Sequence, residues 1–271
     1  MNEPIKLTVV GGGQMGRALI CGMLAAKTVT PESLRLVNSS VTSGQWWSQN
    51  HPEVVISDLE AAVQATDVVL LAVKPHAIAG VAQQPKPGSW DGKLVLSVAA
   101  GVGLESLCQG INHRRVVRAM PNTPSLVGAG ASGFCCAEDV TEEDRATVER
   151  LLGAVGIAIQ VTEPQMDGVT GVSGSGPAYV CLMVEALADG GVLAGLPRPI
   201  AMQLATQTVF GAAKMIAETG RHPGELKDSV ASPGGTTIAA LASLEHNGFR
   251  GAVIDAVEAS ARRSRELGSS K

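Results

Sequence analysis

The stretch VVGGGQMGRAL, residues Val9–Leu19, decides the fold of this chain. A short β-rich run ends here at the spacing Gly11-x-Gly13-x-x-Gly16, and a segment with helical periodicity follows at once. In such a strand–turn–helix unit the first glycine permits a tight turn and the second lets the backbone approach a pyrophosphate, while the third lets the helix pack against the strand. N–H groups at the start of the helix then face the phosphates. The spacing therefore predicts a dinucleotide-binding site directly after the first strand.

Alternating strands and helices surround this motif. The strand-like runs are short and mostly apolar, as parallel strands covered on both faces are; in order they are Ile5–Val10, Leu34–Asn38, Val54–Ile56, Asp67–Val73, Leu94–Ala100 and Arg115–Met120. Helical stretches separate them, which implies right-handed βαβ units. Residues 131–137 and 156–161 are expected to add two late strands around a helix with Thr141 as its N-cap. The first domain, residues 1–163, is thus predicted to be an α/β, Rossmann-like doubly wound sheet.

The chain changes character near Glu163. Residues 164–271 show no convincing strand pattern, and their long apolar segments have helical spacing; these segments are residues 174–195, 197–219, 236–248 and 249–267. Apolar residues extend around most of each helix, which is more than a domain of about 108 residues can bury alone. We therefore predict an all-α C-terminal dimerisation domain whose exposed faces a second subunit covers.

Composition narrows the class of protein. Of the 271 residues, 45% are hydrophobic and 17% are charged, which suits a globular chain of one or two domains. The net charge of −4 gives no electrostatic basis for binding nucleic acid. Five cysteines without a C-x-x-C spacing fit free thiols in a reducing compartment, and the scattered histidines predict no metal site. We find neither a signal peptide nor an apolar run of membrane-spanning length, so no membrane association and a cytoplasmic protein are expected.

The end of the second strand indicates which dinucleotide binds. NAD sites usually place Asp or Glu there for the ribose 2′-hydroxyl, whereas this chain has Asn38-Ser39-Ser40. The absence of an acid favours a 2′-phosphate, although no Lys or Arg lies between Arg35 and Lys74 to clamp it. We therefore predict NADPH as the preferred cofactor, with some use of NADH.

Three stiff loops follow the fourth, fifth and sixth strands, at the edge where ligands bind in open α/β sheets. They are Ala72–His76, Ser97–Gly101 and Met120–Pro124. In the last loop two prolines bracket Asn122, which suits a polar wall of a nicotinamide pocket. Each loop alone fits an ordinary proline- or glycine-stopped turn, but three on one sheet edge favour a binding site.

Two glycine-rich segments of the helical half could seat an anionic substrate opposite the nicotinamide. Val172–Tyr179 is expected to open the first long helix, and Ser229–Thr237 is expected to open a later one. A helix N-terminus with glycines can surround a carboxylate with N–H donors. Thr236 and Thr237 add hydroxyls, although the same pattern also fits a well-capped helix.

The segment LKDSVASPGGTTIAALASLEHNGF, Leu226–Phe249, resembles the signature of the pyrroline-5-carboxylate reductases. TGVSGSGPAY, EALADGGVLAGLPR, GAAKM, AVKPH and MPNTP are similar to the same family in order and spacing, over essentially the whole chain. The resemblance implies NAD(P)H-dependent reduction of the C=N bond of 1-pyrroline-5-carboxylate to L-proline, the last step of proline synthesis. It also implies a helical domain that interlocks with a second subunit, and rings of five dimers are found in the family.

Carried over one residue at a time, the resemblance places the substrate carboxylate on the loop 232–237, with Thr237 as the catalytic residue near the ring nitrogen. The implied substrate-binding residues are Glu163, Ser229, Ser232, Gly234, Gly235, Thr236 and Thr237. Many relatives have Asn where this chain has Ser229, and some hold the adenosine ribose with an Asn near the position of Asp58. Together with the motif and the loops, the predicted cofactor-binding residues are Val10, Gly11, Gly12, Gly13, Gln14, Met15, Gly16, Ser39, Ser40, Ala72, Val73, Lys74, Pro75, Val98, Ala99, Ala100 and Asn122.

The chemistry and its alternatives follow from these residues. A protonated cyclic imine accepts hydride readily, so the site has to neutralise the carboxylate, hold the carbon close and exclude water. Lys214 and Lys227 are candidate acids, but surface roles are favoured for both. A β-hydroxyacid dehydrogenase is the nearest alternative enzyme, although no segment matches its catalytic lysine helix. A non-catalytic NADP-binding sensor is the alternative from another class.

Overall fold

The computed structural model of the chain describes residues 3–269, and its strands form one eight-stranded sheet. The strands are β1 (Leu7–Val10), β2 (Leu34–Val37), β3 (Val55–Ile56), β4 (Val68–Leu71), β5 (Leu94–Ser97), β6 (Val116–Met120), β7 (Gly130–Cys136) and β8 (Gly156–Gln160). They lie in the order β3-β2-β1-β4-β5-β6-β7-β8. The doubly wound sheet predicted from the apolar runs is confirmed, and the ends of each predicted strand lie within three residues of the observed ends.

The sheet is covered on both faces, as its continuous apolar strands require. The helices of this half are α1 (Gln14–Ala25), α2 (Val41–Asn50), α3 (Leu59–Gln64), α4 (Ile78–Gln83), α5 (Leu104–Ile111) and α6 (Glu142–Gly153). Successive side chains of β4 alternate between two apolar clusters, with Val68 and Leu70 in one and Val69 and Leu71 in the other. Because strand side chains alternate between faces, each cluster lies on one side of the sheet.

The strand β7 is antiparallel to β6, whereas the other paired strands are parallel. The two strands are joined by a short 3-10 turn at Thr123–Val127 rather than by a crossover helix, and direct connections suit antiparallel neighbours. Their register places Arg118 opposite Cys135. The following helix α6 begins as predicted, because Thr141 and Asp144 form a reciprocal capping box.

The remaining described residues, up to 269, contain helices and no strand. They form α7 (Met166–Val169), α8 (Gly176–Leu193), α9 (Arg198–Thr219), α10 (Pro223–Ser229), α11 (Thr236–His246) and α12 (Phe249–Ser269). A π turn, Thr170–Gly174, continues α7 toward α8, so the helical course runs from Glu163 to Leu193. The helix α8 begins at Gly176, within the segment Val172–Tyr179 that was expected to open it, but the π turn directly precedes it. Lys227 lies in α10.

Contacts divide the chain into two compact units, each described separately below. The sheet unit runs to Ser175 and takes up the chain again at Ala259, and the helical unit is Gly176–Glu258. The predicted domain boundary after residue 163 stays a prediction, because compactness and domain identity are different criteria.

Apart from Leu226, the buried hydrophobic residues of the helical unit are alanines, and many of its large apolar side chains are exposed. Its buried cluster consists of Ala188, Ala201 and Ala205. Leu182 is 67% exposed and Phe210 is 59% exposed in the single chain. The sequence was expected to hold no membrane-length apolar run, but the helical stretch Glu163–Leu193, of 31 residues, has that length and composition. By itself this is weak evidence, and a subunit interface accounts for apolar helix faces equally well.

Candidate active site

The glycine loop after β1 has the geometry of a phosphate cradle. Gly11 has φ +109°, and a Cβ there would lie 2.6 Å from the backbone oxygen of Ala72. A side chain at Gly13 would meet no atom within 4 Å, so the space in front of this residue is open. Gly13 is the N-cap of α1, and no side chain caps that helix. Backbone N–H groups and the helix dipole are therefore available for a pyrophosphate, and this part of the site fits a dinucleotide.

Two side chains of α2 donate hydrogen bonds to the backbone of the glycine loop. Ser43 Oγ donates a hydrogen bond of 2.5 Å to the backbone oxygen of Gly12, and Trp47 Nε1 donates one of 3.1 Å to the same oxygen. Both donors are buried. The guanidinium of Arg17 lies 4.2 Å from the centre of the Trp46 ring, close enough for a cation–π interaction. Sequence reasoning missed Ser43 and Trp47, although their spacing of four residues puts them on one helix face directly after the second strand.

The residues predicted to select the cofactor lie at the amino end of α2. Ser40 is its N-cap, and its hydroxyl accepts a hydrogen bond of 3.3 Å from the backbone N–H of Ser43. Ser39 is exposed, and the amide of Asn38 donates to the backbone oxygen of Ser40. Asp58 caps α3 by accepting a bond of 2.9 Å from Ala61 N. This end of the site thus offers hydroxyls and a helix N-terminus, while the carboxylate of Asp58 is engaged in capping α3.

The loops after β4 and β5 stand beside the glycine loop, because β4 pairs with β1 and β5 pairs with β4. Ala72 N donates to Val10 O at 2.8 Å, and Val98 N donates to Leu71 O at 3.0 Å. Lys74 is exposed and starts the 3-10 turn Pro75–Ala77. The remaining loop residues, Val73, Pro75, Ala99 and Ala100, follow the same two strands. The fold therefore brings the predicted residues of β1, β4 and β5 to one edge of the sheet.

Asn122 follows β6 as predicted, but its amide makes contacts within the protein. Its Oδ1 accepts a hydrogen bond of 2.9 Å from Ala131 N, and its Nδ2 donates one of 3.0 Å to Ser173 O. The residue is 7% exposed. These bonds join the start of β7 to the π turn, and the cofactor role of Asn122 stays a prediction.

Glu163 lies at the centre of a partly buried cluster on one face of the sheet. Its Oε1 accepts hydrogen bonds from Arg118 Nη1 at 2.5 Å and from Leu104 N at 3.1 Å. Its Oε2 accepts one from Cys135 Sγ at 2.8 Å. Glu163 was predicted as a site residue, whereas Arg118 and Cys135 were not, because their only signal is a charge and a thiol within otherwise apolar strands.

The cluster holds Glu163 as a carboxylate. Burial raises the pKa of Glu163, but the thiol of Cys135, the N–H of Leu104 and the guanidinium of Arg118 together hold it below its usual range. Burial and the neighbouring carboxylate raise the pKa of the Cys135 thiol well above its ordinary value. Cys135 is therefore a protonated donor, and Glu163 is an acceptor with no proton to give at neutral pH.

The loop predicted to bind the substrate carboxylate lies in the helical unit. Gly235 is the N-cap of α11, and no side chain caps this helix. Gly234 has φ +69°, a conformation that glycine adopts without strain, and Gly235 N donates to Ser232 O. Thr236 and Thr237 are the first residues of α11, so their hydroxyls do not serve as caps. Ser229 lies at the end of α10 and donates its hydroxyl to Leu226 O.

The two lysines considered as candidate acids lie on the surface in ion pairs. Lys214 pairs with Glu218 at 3.6 Å and Lys227 pairs with Asp228 at 2.6 Å, and both lysines are exposed. Within residues 3–269 no group of His, Cys, Asp and Glu is arranged to hold a metal ion.

The strand order around β1 and the uncapped glycine loop define a Rossmann-type dinucleotide-binding protein with a helical second half. Family models agree with this division. A model described as an NADP oxidoreductase, coenzyme F420-dependent, matches residues 6–101, and one described as pyrroline-5-carboxylate reductase dimerisation matches residues 163–267.

Named relatives match over nearly the full length. A pyrroline-5-carboxylate reductase of Synechocystis sp. is 46% identical and covers 97% of this chain and 98% of its own. The solved structure of the Coxiella burnetii reductase is 35% identical, with a TM-score of 0.90, covering 98% of this chain and 99% of its own. The solved structure of Plasmodium falciparum pyrroline carboxylate reductase with NADP bound is 34% identical, with a TM-score of 0.85. The match covers 99% of this chain and 100% of that chain. The chain belongs to the pyrroline-5-carboxylate reductase family and carries the dimerisation segment of that family.

Proposed function

We propose that the protein catalyses the NAD(P)H-dependent reduction of 1-pyrroline-5-carboxylate to L-proline. The observation that carries the proposal is the start of α11, where a helix without a side-chain cap offers N–H groups and two threonine hydroxyls behind flexible glycines. Such a helix end favours a carboxylate. Two further observations support a reductase. The chain belongs to the pyrroline-5-carboxylate reductase family, and its sheet unit has a glycine loop that fits a dinucleotide.

The residues of the loop act on the substrate carboxylate. The backbone N–H groups of Thr236 and Thr237 neutralise the carboxylate, and the positive φ of Gly234 turns the chain so that they face it. The hydroxyl of Thr237 lies beside the ring nitrogen, where its oxygen accepts a hydrogen bond from the protonated imine. It orients the imine without protonating it, because a hydroxyl is a weak acid. A substrate that binds already protonated at nitrogen needs no stronger acid from the protein.

The cofactor, when bound, supplies a hydride to the carbon of the C=N bond. The glycine loop Gly11–Gly16 and the start of α1 bind its pyrophosphate, and Ser39 and Ser40 accept its ribose end. The loops at residues 72–75 and 98–100 hold the nicotinamide half and exclude water. We propose NADPH as the preferred reductant, since no acidic side chain at the end of β2 repels a 2′-phosphate and Asp58 caps α3. NADH is then used less well.

The proposed assembly is a homodimer, with a ring of five dimers as the larger form. The exposed apolar faces of the helical unit support a subunit interface. A cytoplasmic location remains our expectation from the composition. Neither nucleic acid nor a membrane is a proposed partner.

The test is consumption of NADPH with 1-pyrroline-5-carboxylate, followed by absorbance, with NADH compared at equal concentration. We expect turnover and a higher kcat/KM with NADPH. Thr237→Ala should lower kcat/KM for the imine about tenfold or more, because a hydrogen bond that strengthens in the transition state is lost. Thr236→Ala is the matched control, with a smaller loss, because its proposed contact is a backbone N–H.

Three results would contradict the proposal. Binding of NADPH without turnover of any imine would indicate a sensor. Oxidation of a 3-hydroxy acid with NADP⁺, in place of imine reduction, would indicate a β-hydroxyacid dehydrogenase. Equal kcat/KM for Thr237→Ala and the unchanged protein would remove Thr237 from the site.

A further inference from the structure

The partly buried cluster around Glu163 joins four separate parts of the sheet unit. Arg118 comes from β6 and Cys135 from β7, and the register of the two strands places them side by side. Glu163 begins the 3-10 turn that follows β8, and Leu104 is the first residue of α5. Leu104 also ends the loop that leaves β5, where the proposed function places the nicotinamide. The carboxylate therefore ties that loop to the strands β6 and β7.

We propose that Arg118 is a positioning residue of the reductase: through its ion pair it holds the Glu163 carboxylate against the start of α5 and so sets the loop Val98–Gly103. This inference rests on the proposed function, because the loop matters only if the nicotinamide lies beside it. Arg118 acts through Glu163 and makes no contact of its own with substrate or cofactor.

The geometry of the pair favours this role over general stabilisation. The side chain of Arg118 is 10% exposed and that of Glu163 is 36% exposed. A buried ion pair is weak evidence for stability, since desolvation offsets much of the attraction, but it fixes the direction of both groups. Three donors from different elements converge on one carboxylate, which leaves it little freedom to rotate. Cys135 adds a neutral donor on Oε2, so each oxygen has a defined partner.

The same strand provides a matched comparison. Arg115 directly precedes β6 and pairs with the buried Asp144 at 2.6 Å, within the capping box of α6. That pair contacts no predicted site loop. Removing Arg115 should therefore show the structural cost of losing a buried ion pair without a catalytic effect.

The experiment compares Arg118→Met, Glu163→Gln, their double variant and Arg115→Met in the full-length protein. We expect Arg118→Met and Glu163→Gln each to lower kcat with 1-pyrroline-5-carboxylate on the order of tenfold. The double variant should lose no more than either single change, because both remove the same contact. Arg115→Met should reduce stability while leaving kcat of the folded protein unchanged.

A second readout needs no cofactor, namely the free energy of unfolding in urea from pH 7 down to about pH 3, which takes the pH below the usual Glu range. The pKa of Glu163 is lowered in the folded state, so its ion pair stabilises above the usual Glu range and is lost as pH falls through the lowered value. The difference between the unchanged protein and Arg118→Met should therefore shrink toward acid pH. If Arg118→Met does not fold, Arg118→Lys, which keeps the charge but loses the fork geometry, takes its place in both measurements.

The outcomes separate this inference from the proposed function. If the unchanged protein does not reduce the imine, the proposed function itself is contradicted. Active protein with an unchanged kcat for Arg118→Met, or with additive losses in the double variant, would overturn the positioning role. A stability difference that does not depend on pH would also overturn it.

Discussion

Substitution of two glycines in the cofactor loop should affect different properties: Gly11→Ala should lower stability, and Gly13→Ala should weaken cofactor binding. Gly11→Ala places a Cβ against the Ala72 carbonyl at a positive φ, so we expect the free energy of unfolding to fall by about 2 kcal/mol or more. Gly13→Ala places a Cβ in open space at φ −72°, so stability should change by less than about 0.5 kcal/mol. The Kd for NADPH should nevertheless rise on the order of tenfold, since the methyl group occupies the space proposed for pyrophosphate.

Urea unfolding and cofactor titration by fluorescence distinguish the two effects. Gly13→Ala tests whether the pyrophosphate of the cofactor binds at this position, and Gly11→Ala tests the contribution of the turn to folding stability. An unchanged Kd for a fully folded Gly13→Ala would argue against a pyrophosphate at this position.

Some residues of the site can be predicted from the sequence, and others cannot. Gly11 and Gly13 are predictable because their spacing reflects backbone geometry that other residues cannot supply. Arg118 and Cys135 are not, because their partner lies 45 and 28 residues away and only the antiparallel pairing of β6 with β7 brings them together. Glu163 was found through family resemblance, whereas its hydrogen-bond partners required the three-dimensional fold.

Among the elements, α2 links the ribose end of the site to the glycine loop. Ser43→Ala and Trp47→Phe each remove one donor from the Gly12 carbonyl, at a cost of about 1 kcal/mol per hydrogen bond. We expect the Kd for NADPH to rise about fivefold for each variant, with kcat little changed, because the contact shapes binding and not the reacting atoms.

Ser48→Ala is the matched control for α2. Its exposed hydroxyl bonds only to Gly44 O within the same helix. Cofactor affinity should be unaffected by that change. Equal Kd values for Ser43→Ala, Trp47→Phe and Ser48→Ala would show that the glycine loop keeps its shape without α2.

Helix boundaries were less predictable than helix existence. The glycines of Val172–Tyr179 predicted a helix start, and α8 does begin at Gly176, but the sequence did not predict the π turn at Thr170–Gly174 that directly precedes it. Single-sequence patterns cannot detect this, because the register shift is held by tertiary bonds such as that from Asn122 to Ser173. At α11 the glycines and threonines also mark a helix start, with Gly235 as the N-cap.

For the whole molecule, the exposed large side chains of the helical unit predict self-association. Leu182→Asp combined with Phe210→Asp puts charges on two residues that are 67% and 59% exposed in the single chain. We expect sedimentation velocity to show a dimer or larger assembly for the unchanged protein and a shift toward the monomer for this variant, because burying unpaired charges is costly.

Arg221→Ala serves as the control for association, since it removes only an exposed ion pair with Glu225. Its sedimentation should match that of the unchanged protein. A monomeric unchanged protein would contradict the subunit interface that both the apolar helices and the family's dimerisation segment indicate.

The few aromatic residues are distributed so that light absorption and emission can distinguish the two units. Trp46, Trp47 and Trp90 are the three tryptophans of the chain and all belong to the sheet unit, whereas its single tyrosine, Tyr179, belongs to the helical unit. The indole of Trp47 is bonded to the glycine loop, and the hydroxyl of Tyr179 is bonded to the backbone oxygen of Ala256. Tryptophan emission therefore reports on cofactor binding and melting of the sheet unit, while the tyrosine signal reports on the helical unit, without any introduced label.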